Sequence, residues 1–361
     1  MIDAGASAGR VREPRVTIVA MTVGYAMTPY VQLLSEAVGR HTPTSVIAPS
    51  HMNGDIAGVK VIRFHTGLSP KMALVRSVNP WSHLDLLRKV RRTAPDVVHI
   101  LNGHGYPWAL SLAAFLPRTA IVVTLHDPLP HPGNRTDAVN AILGRYTLSR
   151  GAAIHVHDKL FVPALAERFP GKPIVEIRHG SFATRYLNHR RPGISRQRSI
   201  LFFGRVEYYK GIETLLRAAL MLPPDIRVTI AGSGQLSLVE RDLMGKLGDR
   251  VQLLNRFIEE EEAAVLLQQA GVLALPYRQA TQSSLPLVAA AFDLPVVATT
   301  VGALHREVAE LGGLAVPPDD PQTLASALLR QLDSPGPIRN KQESFDDLAP
   351  KFLNLYRMVM P

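Results

Sequence analysis

The chain has 361 residues, of which 46% are hydrophobic and 19% are charged. This composition suits two folded domains and excludes an intrinsically disordered protein. The lack of cysteine excludes disulfides and thiolate metal sites and is compatible with a cytoplasmic protein. No apolar run approaches the roughly 18–20 residues that span a bilayer. The net charge is +10, and residues 1–185 hold the whole excess, with 21 Lys and Arg against 11 Asp and Glu.

The basic first half points to a polyanionic partner, either an anionic membrane surface or nucleic acid. A surface that only keeps the protein in solution is the plain alternative. Residues 81–92, WSHLDLLRKVRR, predict an amphipathic helix with a basic end and an apolar face of Leu84, Leu87 and Val90. The cations suit the C-terminus of a helix that packs on a sheet. The alternative is a membrane-surface helix whose Trp81 touches lipid, with residues 71–79 on the same surface.

Short apolar runs alternate with helical patterns along the whole chain. In the first half, strands are predicted at residues 16–23, 46–48, 59–64, 96–101, 120–125, 153–156 and 174–177, and helices at 30–38, 81–92, 137–149, 160–169 and from 107 onward. Residues 186–198, YLNHRRPGISRQR, are polar and contain Pro and Gly, as is typical of an interdomain linker.

In the second half, strands at residues 199–203, 226–231, 251–254, 272–275 and 295–299 alternate with helices at 211–220, 235–247, 259–270 and 284–292. Two further helices are predicted at residues 322–332 and 345–358. Alternation of this kind predicts parallel sheets wrapped by helices.

Residues 199–220, SILFFGRVEYYKGIETLLRAAL, carry the most informative pattern. An apolar strand is followed by Arg205, a short loop, Lys210 and a helix. Ligands gather at the carboxyl ends of parallel strands, and helix N-termini favour anions. The planar fork of Arg and the mobile charge of Lys would together hold a diphosphate there. The alternative is a solvated loop with two ordinary surface cations.

The pattern Gly-Arg-x4-Lys-Gly after an apolar strand resembles the donor-phosphate loop of retaining glycosyltransferases of the GT-B fold, glycosyltransferase family 4 (group 1). Residues 271–301, GVLALPYRQATQSSLPLVAAAFDLPVVATTV, followed by Gly302 and Glu307, resemble the donor loop of the same family and the strand and turn after it. The two motifs occur in the order that the family requires. The resemblance covers most of residues 95–310.

The resemblance implies an α/β protein of the GT-B class, in which two Rossmann-like domains face each other across a cleft. Residues 1–185 would form the acceptor-side domain, and residues 186–340 the nucleotide-sugar-binding domain. A last helix at about residues 341–361 would pack back on the first domain. The implied enzyme is a metal-independent glycosyl transferase. It would move a sugar from a nucleotide-diphosphate sugar to an acceptor hydroxyl with retention of anomeric configuration, in glycolipid, polysaccharide or other glycoconjugate synthesis.

The implied partners are a nucleotide-sugar donor and a saccharide or lipid-linked acceptor. The donor is a co-substrate, so no cofactor is expected. The basic first domain adds an anionic membrane surface, which predicts a cytoplasmic protein that is peripheral at the inner face of the membrane. Nucleic acid is not favoured as a partner.

The site residues implied by the resemblance fall into three groups. The catalytic group is His126, Arg205 and Lys210, in which His126 would orient the donor sugar or the acceptor. The donor-binding positions are Gly204, Phe257, Ile258, Thr281, Gln282, Ser283, Ser284 and Leu285. The acceptor-side positions are Gly24, Tyr25 and His104. Plain N-capping by Ser283 or Ser284 is compatible with a diphosphate on the neighbouring backbone amides.

The chain departs from the family where two glutamates normally flank the donor loop. The later one aligns near Val288, and the earlier one falls near Gln279 or Ala280. Their loss leaves open a catalytically silent GT-B protein that binds or scaffolds a partner glycosyltransferase. A nucleotide-sugar epimerase on the same fold is a further alternative.

Residues 231–234, AGSG, raise the alternative of a nicotinamide dinucleotide site. Ser237 stands where the third glycine is needed, and no carboxylate ends the next strand near Asn255. A tight strand-to-helix turn is enough to explain these glycines.

A metal site is not predicted. The sequence contains no Asp-x-Asp pattern. Zinc could bind His126 with His131, or His155 with His157, only with a third ligand that the spacing does not supply.

Overall fold

The computed structural model describes residues 12–24, 27–126, 135–281, 283–339 and 343–360. Contacts divide the chain into two compact units. Unit 1 comprises the residues up to Arg178 together with those from Phe345 onward, and unit 2 comprises His179–Ser344. The division lies seven residues before the boundary predicted at 185/186, so residues 179–198 belong with unit 2.

Unit 1 is built on a seven-stranded parallel sheet. Its strands are β1 (Val16–Val19), β2 (Thr44–Pro49), β3 (Lys60–Phe64), β4 (Val97–Ile100), β5 (Ala120–Leu125), β6 (Ala153–Val156) and β7 (Ile174–Glu176). In space their order is β3-β2-β1-β4-β5-β6-β7. Every residue of β1, β4, β5 and β6 is buried, as expected of a parallel sheet covered on both faces.

Six helices connect these strands. They are α1 (Met27–Gly39), α2 (Pro70–Arg76), α3 (Pro80–Thr93), α4 (Pro107–Phe115), α5 (Arg135–Arg150) and α6 (Val162–Arg168). At the start of α3, the Asn79 side chain accepts from the Trp81 N–H, and a proline occupies the first turn. α2 was not predicted, because seven residues are too few to establish a helical period.

The prediction that the first strand reaches residue 23 is wrong. β1 ends at Val19, because the side chain of Asn102 replaces the next strand partner. The Asn102 Oδ1 accepts from the N–H groups of Met21 (2.8 Å) and Thr22 (3.2 Å), and its Nδ2 donates to the Thr22 carbonyl (2.7 Å). The predicted helix at residues 160–169 is likewise divided into a 3-10 turn, Lys159–Phe161, and α6, whose first turn contains a proline.

Unit 2 is built on a second parallel sheet, of six strands. These are β8 (Ser199–Phe203), β9 (Arg227–Ala231), β10 (Val251–Leu254), β11 (Val272–Leu275), β12 (Val296–Thr299) and β13 (Leu314–Val316), in the order β10-β9-β8-β11-β12-β13. Its helices are α7 (Ala183–Leu187), α8 (Ile212–Leu220), α9 (Leu238–Leu247), α10 (Glu260–Gln269), α11 (Leu285–Ala291), α12 (Leu304–Glu310) and α13 (Pro321–Asp333). α12 and β13 were not predicted, since both are short.

The last helix, α14 (Phe345–Val359), belongs to unit 1 and packs on α1. The Phe345 ring lies 5.4 Å from the Tyr30 ring, edge to face. An ion pair joins Asp346 to Arg40, and the Tyr356 hydroxyl lies 2.8 Å from Nδ1 of His99 in β4. The chain therefore returns from unit 2 to complete the helical layer of unit 1.

Candidate functional site

The two loops that carry the predicted donor site meet at the carboxyl edge of the unit 2 sheet. β8 lies between β9 and β11, so the chain runs first to one side of β8 and later to the other. Such a reversal opens a crevice beyond the strand ends. The loop after β8 and the loop after β11 are hydrogen-bonded there, because the Arg278 N–H donates to the Tyr209 carbonyl (2.8 Å).

Glycine is required where these loops approach each other. Gly211 has φ 67°, and a Cβ on it would overlap the Pro276 carbonyl oxygen. Gly302 has φ 52°, and a Cβ on it would overlap the Ala280 carbonyl oxygen. At positions 211 and 302, where the sequence resembles the family, only glycine fits the backbone conformation and the close approach of the neighbouring carbonyl.

The Gly-x-Gly turn after β9 supports the loop after β8. A Cβ on Gly232 would overlap the carbonyl oxygen of Gly204, and one on Gly234 would overlap that of Val206. The Val206 N–H donates to the Ser233 carbonyl (2.9 Å). Close packing of two turns accounts for these glycines without a dinucleotide.

Both predicted cations of the loop after β8 lie around one aromatic ring. Arg205 is exposed, and its Nη2 donates to the Tyr209 hydroxyl (2.8 Å). The Nζ of Lys210 lies 5.1 Å from the centroid of the Tyr209 ring. The structure thus places Arg205 and Lys210 around the same ring, and their binding of a diphosphate stays a prediction.

The ammonium group of Lys210 is largely removed from water. Its Nζ lies 3.6 Å from the centroid of the Tyr277 ring. Burial, aided by the positive charge of Arg205 and opposed by Glu207, lowers the pKa of Lys210 to about 7. Among the residues that the structure describes, no carboxylate forms an ion pair with Lys210. An anion in the crevice would supply the missing counter-charge.

Tyr277 is a site residue that sequence reasoning missed. It lies two residues beyond β11, it is fully buried, and burial raises its pKa, so the ring is a neutral phenol. The Thr299 hydroxyl donates to the Tyr277 carbonyl (2.5 Å) and fixes the backbone. The signal that could have found Tyr277 is an aromatic residue at the carboxyl end of a buried strand.

Arg278 lies on the same loop but is already paired. Its Nη2 lies 3.2 Å from Glu213, and its Nε lies 2.6 Å from Asp319. Its guanidinium also stacks on the Tyr208 ring at 4.3 Å. The charge of Arg278 is therefore neutralised by two carboxylates. Arg205, whose Nη1 lies 3.7 Å from Glu207, and Lys210 are the less fully paired cations of these two loops.

The predicted donor-loop residues at the start of α11 lie on the same edge. Thr281 is buried, and its carbonyl accepts from the Ala303 N–H (3.0 Å). The Ser283 hydroxyl, one residue before the cap position, accepts from the Leu285 N–H (3.3 Å). Ser284 occupies the cap position without a side-chain cap. Gln282 lies outside the described residues.

Phe257 and Ile258 follow β10, two strands away from β8. Phe257 is exposed, and Ile258 is buried in the core of unit 2. In the same loop, the Asn255 Oδ1 accepts from the Gly234 N–H (3.0 Å) in the neighbouring turn. A nucleotide-base role for Phe257 and Ile258 stays a prediction.

The remaining predicted residues lie in unit 1. His126 follows β5, and its Nδ1 lies 3.1 Å from Nε2 of His157. His104 is packed against Gly144 of α5, and burial lowers its pKa to about 4, so it is neutral. The carbonyl of exposed Gly24 accepts from the Thr28 N–H at the start of α1. Tyr25 and His131 lie outside the described residues.

The described ranges contain histidines and carboxylates that could serve as metal ligands. No group of three or more His, Cys, Asp or Glu side chains is arranged there to hold a metal ion. The pair His155 and His157, considered for zinc from sequence, contacts the Ile177 carbonyl instead.

Two family models match the chain. Residues 8–177 match the model described as glycosyl transferase 4-like domain. Residues 197–334 match the model described as glycosyl transferases group 1. The two matches fall in unit 1 and unit 2, respectively.

Individual proteins show the same similarity. The D-inositol 3-phosphate glycosyltransferase of Corynebacterium urealyticum is 32% identical over 53% of this chain and 50% of its own length. The glycogen synthase of Mycobacterium tuberculosis is 30% identical over 70% of this chain and 63% of its own length. The chain thus spans less than two thirds of these relatives. The sucrose-phosphate synthase structure from Thermosynechococcus elongatus superposes with a TM-score of 0.70 at 19% identity, over 96% of this chain and 94% of that one.

We predict that Lys210 titrates near pH 7 and that Arg205→Gln raises its pKa, because a neighbouring guanidinium disfavours the ammonium form. The pKa of Lys210 in the folded protein lies below the value of about 10.4 in an unfolded chain. The charged lysine therefore destabilises the fold fully below pH 7, and this destabilisation disappears as the pH rises from 7 to about 10.4. Carbon-13 NMR of methylated lysines measures the pKa. Arg217→Gln, on the exposed side of α8, is the control. Titration of Lys210 together with the other lysines would contradict the assignment.

Proposed function

The chain belongs to the group 1, 4-like glycosyltransferases, and from that premise we propose that it transfers a sugar from a nucleoside-diphosphate donor to an acceptor hydroxyl. The predicted fold class, with two Rossmann-like parallel sheets of the GT-B type, is confirmed. The observation that carries the proposal is the desolvated Lys210 beside Arg205 at the switch point of the unit 2 sheet. A diphosphate is the anion that two adjacent cations at such a crevice fit best.

The two cations would act on the leaving group. As the bond from the sugar to the diphosphate breaks, negative charge grows on the phosphate oxygens. Arg205 can meet that charge with a planar pair of donors and Lys210 with a point charge. Because Lys210 is held in a site of low polarity, its attraction to the developing charge exceeds what a solvated lysine would supply. Stabilisation that grows as the bond breaks is the kind that accelerates the reaction.

The finer features of the reaction are part of the same proposal. We propose retention at the anomeric carbon, with a donor phosphate oxygen taking the proton of the acceptor. We also propose that the protein needs neither a resident cofactor nor a metal ion, because Arg205 and Lys210 place fixed positive charge where a metal ion would otherwise act. His126 would contact a hydroxyl of the donor sugar or of the acceptor.

A second candidate function is a catalytically silent protein that scaffolds a partner glycosyltransferase. The observation that favours it is Val288, which is buried in α11 at the position where the family carries a ribose-binding glutamate. An apolar side chain there cannot accept hydrogen bonds from a ribose. Donor turnover separates the two candidates.

Donor turnover can be followed by phosphorus-31 NMR with a panel of UDP, GDP, ADP and TDP sugars, with and without saccharide acceptors. We expect one donor to release its nucleoside diphosphate. We expect Lys210→Met to lower the rate by about 10²–10³-fold, the usual effect of removing one transition-state charge contact. Lys246→Met is the control, because Lys246 pairs with Asp242 on the exposed face of α9. No turnover of any donor would favour the scaffold, and equal rates in Lys210→Met would contradict the assigned role.

We further propose that unit 1 binds an anionic membrane surface, where a lipid-linked acceptor would be found. α2, α3 and the turns beside them expose an apolar patch of six large side chains, between 42% and 75% exposed: Leu68, Met72, Val75, Val78, Trp81 and Leu84. Isolated apolar residues are normal on a surface, but a contiguous group of this kind indicates an interaction site. No helix in the described part of the chain is long and apolar enough to cross a membrane.

The surroundings of the apolar patch favour lipid over another protein as its partner. Exposed cations lie on the same two helices, at Lys71, Arg76, Arg88, Arg91 and Arg92. α3 packs inward through Leu86, Leu87 and Val90, whereas Leu84, expected on that inner face, is exposed instead. Apolar side chains flanked by Lys and Arg are typical of helices that lie in the interface of an anionic bilayer. The proposal makes the protein peripheral at a cytoplasmic membrane face, in glycolipid or polysaccharide synthesis.

Vesicle sedimentation tests the membrane proposal. We expect the protein to sediment with phosphatidylglycerol-containing vesicles and not with pure phosphatidylcholine, and added salt to weaken the binding. The double variant Val75→Ser, Trp81→Ser should lose most of the binding, since each side chain is more than 70% exposed. Leu160→Ser, which changes a half-exposed residue elsewhere in unit 1, should not. Equal binding to both vesicles, or no effect of the double variant, would overturn the proposal.

A further inference from the structure

An exposed arginine stands before each of four neighbouring strands of the unit 1 sheet. They are Arg15 before β1, Arg92 before β4, Arg118 before β5 and Arg150 before β6. The four strands lie side by side in the order β1-β4-β5-β6. β1, β4 and β5 start in register, because Val16 pairs with Val97 and Val97 pairs with Ala120. Neighbouring strands are about 4.8 Å apart, so these four arginines, the arginine row, line roughly 14 Å of the amino edge of the sheet.

Ion pairs do not neutralise the arginine row. Among the residues that the structure describes, no carboxylate lies within ion-pair distance of any of the four guanidinium groups. Glu13 and Asp96, the carboxylates that precede β1 and β4, pair instead with Arg357 (2.7 Å) and Arg12 (3.0 Å), respectively. Positive charge therefore accumulates along this edge of unit 1.

The charge of the row also acts on Lys172, which stands before β7, the strand next to β6. Burial, together with the positive charge of Arg150, lowers the pKa of Lys172. The Nζ of Lys172 donates to the Ser149 carbonyl (2.8 Å) near the end of α5, so this ammonium group is engaged within the protein. The lowered pKa reflects, in part, the excess of positive charge at this end of the row.

Stabilisation of helix ends explains only part of the arginine row. Arg92 and Arg150 lie in the last turns of α3 and α5, where the helix dipole favours cations. Arg15 and Arg118 belong to no helix, so the dipole does not account for them. Like charges on neighbouring strands repel each other. Bound anionic groups would relieve this repulsion, and a single line of cations fits a chain of such groups.

The arginine row lies apart from the apolar patch and from His126. Trp81 of the patch and Arg92 of the row are about 16 Å apart along α3. His126 follows the carboxyl end of β5, whereas Arg118 precedes its amino end, and the strand between them is about 20 Å long. The row is therefore remote from both, and it suits a hydrophilic polyanion that extends over the surface of unit 1.

We propose that the arginine row binds an acidic polysaccharide through the carboxylate or phosphate groups of its repeating units. A guanidinium group can bind either oxyanion with two parallel hydrogen bonds, so each strand of the row contributes one contact of this kind. The choice of a polysaccharide rests on the proposed function, because a glycosyltransferase acts on sugar chains. The row would hold such a chain at a distance from its reacting end.

Fluorescence anisotropy with a labelled oligogalacturonate measures this binding. We expect the wild-type protein to bind the acidic oligosaccharide, not to bind a neutral maltooligosaccharide, and to lose affinity as salt is added. The double variant Arg118→Gln, Arg150→Gln should weaken binding at least about tenfold and reduce its salt dependence, because two cationic contacts are lost. Its melting temperature should stay near that of wild type, since both side chains are exposed.

Two double variants with the same loss of charge are the controls. Arg76→Gln, Arg88→Gln changes exposed arginines beside the apolar patch, and Arg227→Gln, Arg241→Gln changes exposed arginines of unit 2. Both should bind the oligosaccharide with nearly the wild-type affinity. An equal loss in either control, no binding by wild type, or tighter binding of a single-stranded oligonucleotide of the same charge would overturn the proposal.

Donor turnover separates this proposal from the proposed function. With a short neutral saccharide acceptor, we expect Arg118→Gln, Arg150→Gln to release nucleoside diphosphate at the wild-type rate, because the row lies at the amino edge of the sheet. A slower release would show that the row acts on the transfer itself and would overturn the proposal. A wild-type protein that binds oligogalacturonate through the row but turns over no donor would contradict the proposed function alone.

Discussion

The burial of one ammonium group, that of Lys210, is the constraint on which the site in unit 2 depends. A cation held against the Tyr277 ring and beside Arg205 loses hydration and gains no carboxylate among the described residues. Contacts within the folded protein do not offset the lost hydration free energy of this ammonium group, whereas a bound anion would. The rest of the loop serves this arrangement. Gly211 and Gly302 allow the backbones to close, and Thr299 fixes the Tyr277 carbonyl.

The side chains around the two loops differ in whether they carry positive charge that a ligand could meet. Arg278 forms ion pairs with Glu213 and Asp319. The positive charge of the two loops that can act on a ligand therefore lies mainly at Arg205 and Lys210. Val288 supplies no acceptor for a ribose. Under the proposed function, the charges of this site act on the diphosphate of the donor rather than on its nucleoside.

Sequence patterns predicted the parts of the molecule that depend on local periodicity. The alternation of apolar runs with helical patterns predicted both parallel sheets. The pattern of a strand followed by two spaced cations predicted that Arg205 and Lys210 lie at the end of that strand. They could not reveal Tyr277, because its contact with Lys210 arises from the neighbouring positions of β8 and β11, which lie about 70 residues apart in the chain. They missed α2, α12 and β13, which are too short to show a period, and they could not foresee that Asn102 ends β1.

Calorimetric proton counting tests the central claim most directly. Nucleoside diphosphates are titrated into the protein at pH 8 in buffers of different ionisation enthalpy. Because the pKa of Lys210 is about 7 in the free protein and a bound diphosphate raises it, binding should take up about one proton in wild type. Lys210→Met should bind more weakly without that uptake, and Lys246→Met should match wild type. Binding without proton uptake in wild type, or no binding of any nucleoside diphosphate, would contradict the account.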